Sequence, residues 1–326
     1  MDTEVKNMVQ ASDKDAQYDE KAKRLLGNKY ILAYILVNTV DEFKGMNPKD
    51  VVQYIEGEPM IGVVPVEPGL TNAKGEEQGQ RVVGFNSENA EINEGLVRFD
   101  IVFYVRMPST GVMPSAGTGR DGLSQIIINV EAQKDEPSGY DILNRAVFYV
   151  SRLISSQKER DFVNTNYNDI RRVFSIWIQM NMDENSMGYV HLAYDKLIGD
   201  YQCKGRLDLL NIVLIGLSNE LPEHDEKYEL HRLLGALLSK KLSVEEKLNI
   251  IGNEYDIPVE ADMRKEVDTM CNLSQGIKED GIAIGEANII LHMSKNGFTA
   301  EQIAKATDKA IEEVKAIIER GEPVLA

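Results

Sequence analysis

Two stretches decide how this chain is read: Leu96-Val97-Arg98-Phe99-Asp100-Ile101-Val102-Phe103-Tyr104-Val105-Arg106 and Ser124-Gln125-Ile126-Ile127-Ile128-Asn129-Val130-Glu131-Ala132-Gln133. In the first, Val97, Phe99, Ile101, Phe103 and Val105 make one apolar face, and Arg98, Asp100, Val102, Tyr104 and Arg106 share the other. In the second, Ile126, Ile128, Val130 and Ala132 alternate with Gln125, Ile127, Asn129, Glu131 and Gln133. A period of two sends successive side chains to opposite faces, so both stretches predict β-strands with one side in a core. Between them, Met107 to Gly122 is rich in Pro, Gly and Ser and predicts a long loop of the kind that often carries function. A hairpin turning in the middle of that loop sets Asp100 opposite Glu131 to within one residue. Two negative charges facing each other across paired strands repel. A proton, a basic side chain or a hard divalent cation must compensate, and Mg²⁺ commonly takes one or two carboxylates plus waters. The pattern by itself is equally satisfied by two acids on a solvated face, or by acids paired with Arg98 or Arg145.

Working outward, Tyr18 to Phe43 has helical periodicity and is apolar nearly all round, with Gly27 marking a break; such a helix belongs buried against a sheet. Met60 to Val66 and Val82 to Phe85 read as strands separated by loop chemistry. Ser138 to Gln157 predicts a helix with Ile142, Ala146, Val147, Val150, Leu153 and Ile154 as its apolar stripe and Arg145, Tyr149 and Arg152 beside it. Arg172–Gln179, His191–Tyr194 and Leu209–Leu217 read as further strands. After Leu217 the pattern turns helical, with segments at 224–241, 243–255, 258–275, 276–294 and 299–319. Thr299 followed by Gln302 fits a capping box. The division expected is an α/β domain over 1–220, with a mixed central sheet flanked by helices, and an all-helical region over 221–326.

The 326 residues carry 36 basic and 53 acidic side chains, a net charge of −17. That charge repels phosphate at long range and excludes a broad basic surface for non-specific nucleic-acid binding, though not a local basic patch. Two cysteines, Cys203 and Cys271, cannot build a disulfide framework or a cysteine-only metal site. His191, His224, His231 and His292 lack zinc spacing with a cysteine partner. The opening Met1-Asp2-Thr3-Glu4-Val5 has no basic stretch leading into an apolar one, and the early apolar run Tyr30 to Val37 is far short of the roughly 20 residues a bilayer requires. The expectation is a soluble protein of the reducing cytoplasm with no membrane partner.

Asp100, the long loop, Ile126-Ile127-Ile128-Asn129-Val130-Glu131-Ala132-Gln133 and the Tyr- and Arg-bearing helix, taken in that order, resemble the PD-(D/E)XK nuclease superfamily. Within it the chain is similar to the recombination-promoting nuclease and transposase-like branch. Tyr18 through Lys29-Tyr30-Ile31-Leu32-Ala33 to Glu42-Phe43-Lys44 resembles that family's first helix, and Gly276-Ile277-Lys278-Glu279-Asp280-Gly281-Ile282-Ala283-Ile284-Gly285 its helical tail, so the resemblance covers most of the chain. It implies a restriction-endonuclease-like core and an endonuclease that hydrolyses DNA phosphodiesters with Mg²⁺ or Mn²⁺, associated with recombination or mobile elements. It implies further that Asp100, Glu131 and the Ala132 carbonyl hold the metal, with Glu42 as an extra acid from the first helix. Gln133 stands where the family name has lysine; a lysine there orients water and stabilises developing negative charge, whereas glutamine orients water without adding charge. Arg145 and Arg152 are expected to hold phosphate, and Tyr140 and Tyr149 to brace the acids. The alternative is a weakened nuclease-fold protein that binds or regulates, self-associating through its C-terminal helices.

Overall fold

The computed structural model describes residues 17–66, 97–108, 125–158, 160–162, 164–202 and 204–321. The strand expected at Val82–Phe85 and most of the loop 107–122 lie outside them. The chain divides into two compact units, one of residues 23–239 and 249–258, the other of residues 1–22, 240–248 and 259–326.

The first unit is built on a mixed six-stranded sheet. Its strands are β1 (Ile55–Val66), β2 (Val97–Arg106), β3 (Gln125–Gln133), β4 (Arg172–Met182), β5 (Ser186–His191) and β6 (Leu210–Ser218), in the spatial order β1-β2-β3-β4-β6-β5. β2 and β3 pair antiparallel, with Ile101 opposite Val130 and Arg106 opposite Gln125, the register expected from the two alternating faces. β4 lies parallel to both β3 and β6. A parallel neighbour requires a crossover, and the helix Ile142–Ser155 occurs between β3 and β4 in the chain. In element order the helices are α1 (residues 17–26), α2 (Lys29–Thr39), α3 (Pro48–Val51) and α4 (Ile142–Ser155), then α5 (Glu229–Leu238) after the sheet.

The sheet is buried on both sides, not on one as the alternation predicted. Ile142, Ala146, Val150 and Leu153 of α4 pack on Val102, Tyr104, Ile127, Val173, Trp177 and Ile212. This is the face that also carries Glu131, so the nominally polar face becomes core away from the acids. Side chains of the opposite parity, among them Ile101, Ile128, Val130, Ile176 and Ile215, are at most 1% exposed. α5 packs against β6, and α2 against β1 and α5. The unbroken run Val173-Phe174-Ser175-Ile176-Trp177-Ile178 follows from this double burial, since a strand covered on both faces has no reason to alternate. Gly27 ends α1, and Asn28 caps α2 through its side chain, which accepts from Tyr30 N–H at 2.9 Å.

In the second unit the segments expected at 258–275 and 276–294 are one helix, α7 (Ala261–Lys295), preceded by α6 (Val244–Asn249) and followed by α8 (Ala300–Thr307) and α9 (Ile311–Arg320). Gly276, Gly281 and Gly285 all fall inside this helix, and none takes the left-handed backbone that a glycine helix stop uses. An interior glycine costs about 1 kcal/mol and weakens a helix without ending it. Ala287, Ile290, Ile303, Ala304, Val314 and Ile317 form a core of this unit, and the Thr299–Gln302 capping box is present. No described helix is long and apolar enough to cross a membrane.

Candidate functional site

The residues singled out on β2 and β3 meet where the paired register stops. Beyond Ile101 and Val130 the two carboxylates take over the hydrogen bonding. The backbone N–H of Asp100 donates to Glu131 Oε1 at 3.0 Å, and the backbone N–H of Ala132 donates to Asp100 Oδ2 at 3.2 Å. Each acid is thus anchored by a donor from the other strand, and their oxygens are held near one another. N–H and C=O of one strand residue point to the same edge, so the Ala132 carbonyl also faces β2.

Lys23, from the end of α1, places its Nζ 2.9 Å from Asp100 Oδ1, with both side chains 17% exposed. Glu131 lies deeper, at 3% exposure. Burial first, and the neighbouring Asp100 charge second, push its carboxyl up to about 8; the Asp100 N–H, Arg145 and Lys23 pull the other way without cancelling the rise.

Arg145 of α4 reaches the same place. Its guanidinium donates to Tyr140 Oη and Tyr149 Oη, both at 2.8 Å, and to Gln133 Oε1 at 3.4 Å. It lies over the Tyr149 ring at 4.9 Å and the Trp177 ring at 5.4 Å. These contacts hold it firmly in its charged form against the cost of burial. Tyr149 is itself wedged between Phe99 and Trp177. The two tyrosines brace the arginine, where the sequence reading had them bracing the acids. Gln133 is pinned from both sides, donating through Nε2 to the Asp135 carbonyl at 2.9 Å.

Two expected members stand elsewhere. Glu42 Oε1 lies 2.5 Å from Arg172 Nη2. Arg172 is level with Ile126 on β3, five residues before Glu131, about 16 Å along the strand. Glu42 therefore belongs to the opposite end of the sheet and supplies no third acid. Arg152 follows Arg145 by seven residues on α4, about 10 Å along its axis. It is buried, with its guanidinium over Phe148 at 5.7 Å, and offers no open surface to a phosphate. Among the described residues no group of three acidic, histidine or cysteine side chains converges as a metal cage.

Sequence reasoning missed Lys23 and Trp177. Lys23 sits in a helical segment read for its apolar residues, four positions before the break at Gly27. Trp177 lies in the run expected only as a strand, but its place beside Glu131 on the next strand makes it a wall of the site. Also buried nearby, Ser175 Oγ accepts from Asn129 Nδ2 at 3.1 Å and from Trp177 Nε1 at 2.9 Å. Compared with protein-family models, curated proteins and solved structures, the chain matched none.

Proposed function

We propose that this chain is a metal-dependent endonuclease that hydrolyses DNA phosphodiesters at Asp100 and Glu131, on the restriction-endonuclease-like fold its sequence resembles. The observation that carries the reading is the acid pair itself: two carboxylates from adjacent strands, held together by backbone donors, one of them too buried to ionise readily at neutral pH. A carboxyl that keeps its proton for want of positive charge exchanges that proton for a cation when one arrives. The donor set fits Mg²⁺ or Mn²⁺, being hard oxygen throughout. The Lys23 ammonium on Asp100 is a stand-in cation, showing that this side of the pair accommodates positive charge.

Asp100, Glu131 and the Ala132 carbonyl would hold the metal, which when bound polarises a phosphate oxygen and activates water. Lys23 supplies near Asp100 a charge that Gln133 cannot supply from β3. Arg145, fixed by Tyr140 and Tyr149, presents a positive field beside the acids where a phosphate would approach. Gln133 holds Arg145 from the strand side through its carboxamide oxygen.

One observation favours a second reading, a binding or regulatory protein on the same fold. The Gln133 amide is turned toward the Asp135 carbonyl and so is not presented to the acids. Nicking of supercoiled plasmid with Mg²⁺ or Mn²⁺ decides between the two. The nuclease nicks, and Asp100→Ala and Glu131→Gln abolish nicking while remaining folded. Intact plasmid across both metals and a range of salt concentrations sinks the nuclease reading and leaves the binding one.

A further inference from the structure

We propose that the outer edge of β5 is the docking surface for a second copy of this chain, β5 pairing antiparallel with its mate about a two-fold axis. The sheet has two edges, and they are treated differently. β1 is blunted: it carries Glu56, Glu58, Pro59 and Pro65, and its register against β2 shifts twice. Charge, proline and bulges are the usual devices that stop an edge strand from recruiting another. β5 has none of them. Its sequence, Ser186-Met187-Gly188-Tyr189-Val190-His191, holds no proline and no acid, lysine or arginine, and it pairs with β6 without a register shift. No described strand lies outside it. Gly188, at its centre, has open space where a β-carbon would stand, and a bare backbone at mid-strand is where another backbone can come close.

The segment after β5 adds apolar surface. Of the seventeen large apolar side chains exposed among the described residues, eight fall between Met187 and Leu207. Leu197 is 90% exposed, Ile198 96% and Tyr201 70%. Single exposed apolar residues are ordinary, but a cluster of this kind marks an interaction surface. Electrostatics selects the occupant. Overall the chain carries −17, which sets copies apart, yet from Ser186 to Asp208 three basic residues (Lys196, Lys204, Arg206) balance three acidic ones (Asp195, Asp200, Asp208). A neutral apolar patch on an acidic body is the region where a second copy meets least repulsion. A two-fold axis satisfies an edge strand with the identical edge, since antiparallel pairing is self-complementary.

The geometry has a consequence for the acid pair, which rests on the nuclease reading while the pairing itself does not. Glu131 is level with Trp177, Trp177 with Leu214, and Leu214 with Gly188. In the joined sheet the two β3 strands stand seven steps apart, about 34 Å at ~4.8 Å per step. One turn of duplex DNA is about 34 Å.

Sedimentation velocity on the full chain at micromolar concentration tests the pairing independently of any cleavage. The expected result is a dimer. Leu197→Asp combined with Ile198→Asp, at positions too exposed to affect folding, weakens the dimer roughly 30-fold or more, and Met187→Lys on the strand weakens it as well. Hydrogen exchange gives a second readout: β5 amides are protected at high protein concentration and lose that protection in the double variant. The competing surface is α7, where Ile282 and Ile289 are 52% and 57% exposed. A monomer at all concentrations overturns the proposal. So does a dimer that survives the β5-side variants, whether or not Ile282→Asp with Ile289→Asp dissolves it. Dimerisation without nicking would retain the interface and reject the nuclease; nicking by a monomer would do the reverse.

Discussion

In each unit of this protein a buried acid or base is held from its charge near neutral pH, and the two cases differ in what surrounds them. In the sheet unit Glu131 is pushed up to about 8, and in the helical unit Lys247, fully buried, is pushed down to about 8. Burial is the largest cause in both. A perturbed titration alone would nominate either as a functional group. Around Glu131, however, converge a second carboxylate, a lysine, an arginine and a backbone donor from another strand. The countervailing pull on Lys247 comes from the Cys271 thiol. Convergence of chemically different partners from separate elements separates a built site from a packing compromise.

The sharpest way to break this contrast is activity. If the acid pair holds a metal as proposed, removing one of its carboxylates forfeits several kcal/mol of transition-state stabilisation, so Asp100→Ala should lower the initial nicking rate by roughly 100- to 1,000-fold. Lys247→Met should leave that rate unchanged. If the folded Lys247 variant were as dead as the Asp100 variant, the helical unit would be part of the chemistry and the distinction drawn above would be wrong.

Stability against pH separates the units by sign. The folded protein keeps the Glu131 proton between 4.5 and about 8, while the unfolded chain has already released it. Metal-free protein therefore loses stability as pH rises through that window, by an amount on the order of a few kcal/mol. Glu131→Gln cannot ionise and escapes the loss. In chelator, its Tm should match the parent near pH 4.5 and exceed it by several degrees above pH 8. A parent Tm that does not fall relative to the variant across this range would mean Glu131 ionises freely.

How much of this was legible beforehand follows from where the information lies. The β2–β3 register could be read because alternation constrains each strand and a hairpin constrains the pair, so Asp100 and Glu131 emerged together. β5 was misplaced: a strand was expected at His191–Tyr194, and the observed one ends at His191. It is an exposed edge, and exposure removes the apolar alternation by which strands are recognised. Glu42 looked like an acid on the first helix, but its partner Arg172 comes from a strand 130 residues on, which local patterns do not encode. Lys23 escaped for the same reason, since only the fold brings the end of α1 to Asp100. The division expected between 275 and 276 falls inside α7, because glycine weakens helices wherever it falls but ends them only in a left-handed backbone.

For Lys247 the sign of the linkage reverses. Its ammonium titrates near 8 in the folded state and at 10.5 unfolded, so the stability it contributes is present above 10.5 and is lost as pH falls through 8. Below 8 the charge is buried at a cost that the Cys271 hydrogen bond offsets only in part. Lys247→Met keeps the shape and drops the charge, so it should raise Tm by a few degrees at pH 7, with the gain fading by about pH 10.5. A Lys247→Met protein less stable than the parent at pH 7 would show that the polar contacts of Lys247, the Cys271 thiol among them, outweigh the burial, making the two regions alike after all.

The smallest test applies one substitution to both units. At Gly281 and Gly285 a β-carbon would meet nothing, and the backbone is helical. Alanine there should stabilise the helical unit by about 0.5–1 kcal/mol per site, by restricting the unfolded chain and raising helix propensity. In the sheet unit, a β-carbon at Gly27 would stand 2.7 Å from Ile61 Cγ1. Ile61 would have to leave its rotamer, at a cost comparable to the gain. Urea melts of the three alanine variants should therefore show raised midpoints at Gly281 and Gly285, and none at Gly27. Equal stabilisation at all three would mean that β1 yields as readily as open solvent, and that the close packing of Gly27 on Ile61, a few residues from Lys23, is looser than the Lys23–Asp100 contact requires.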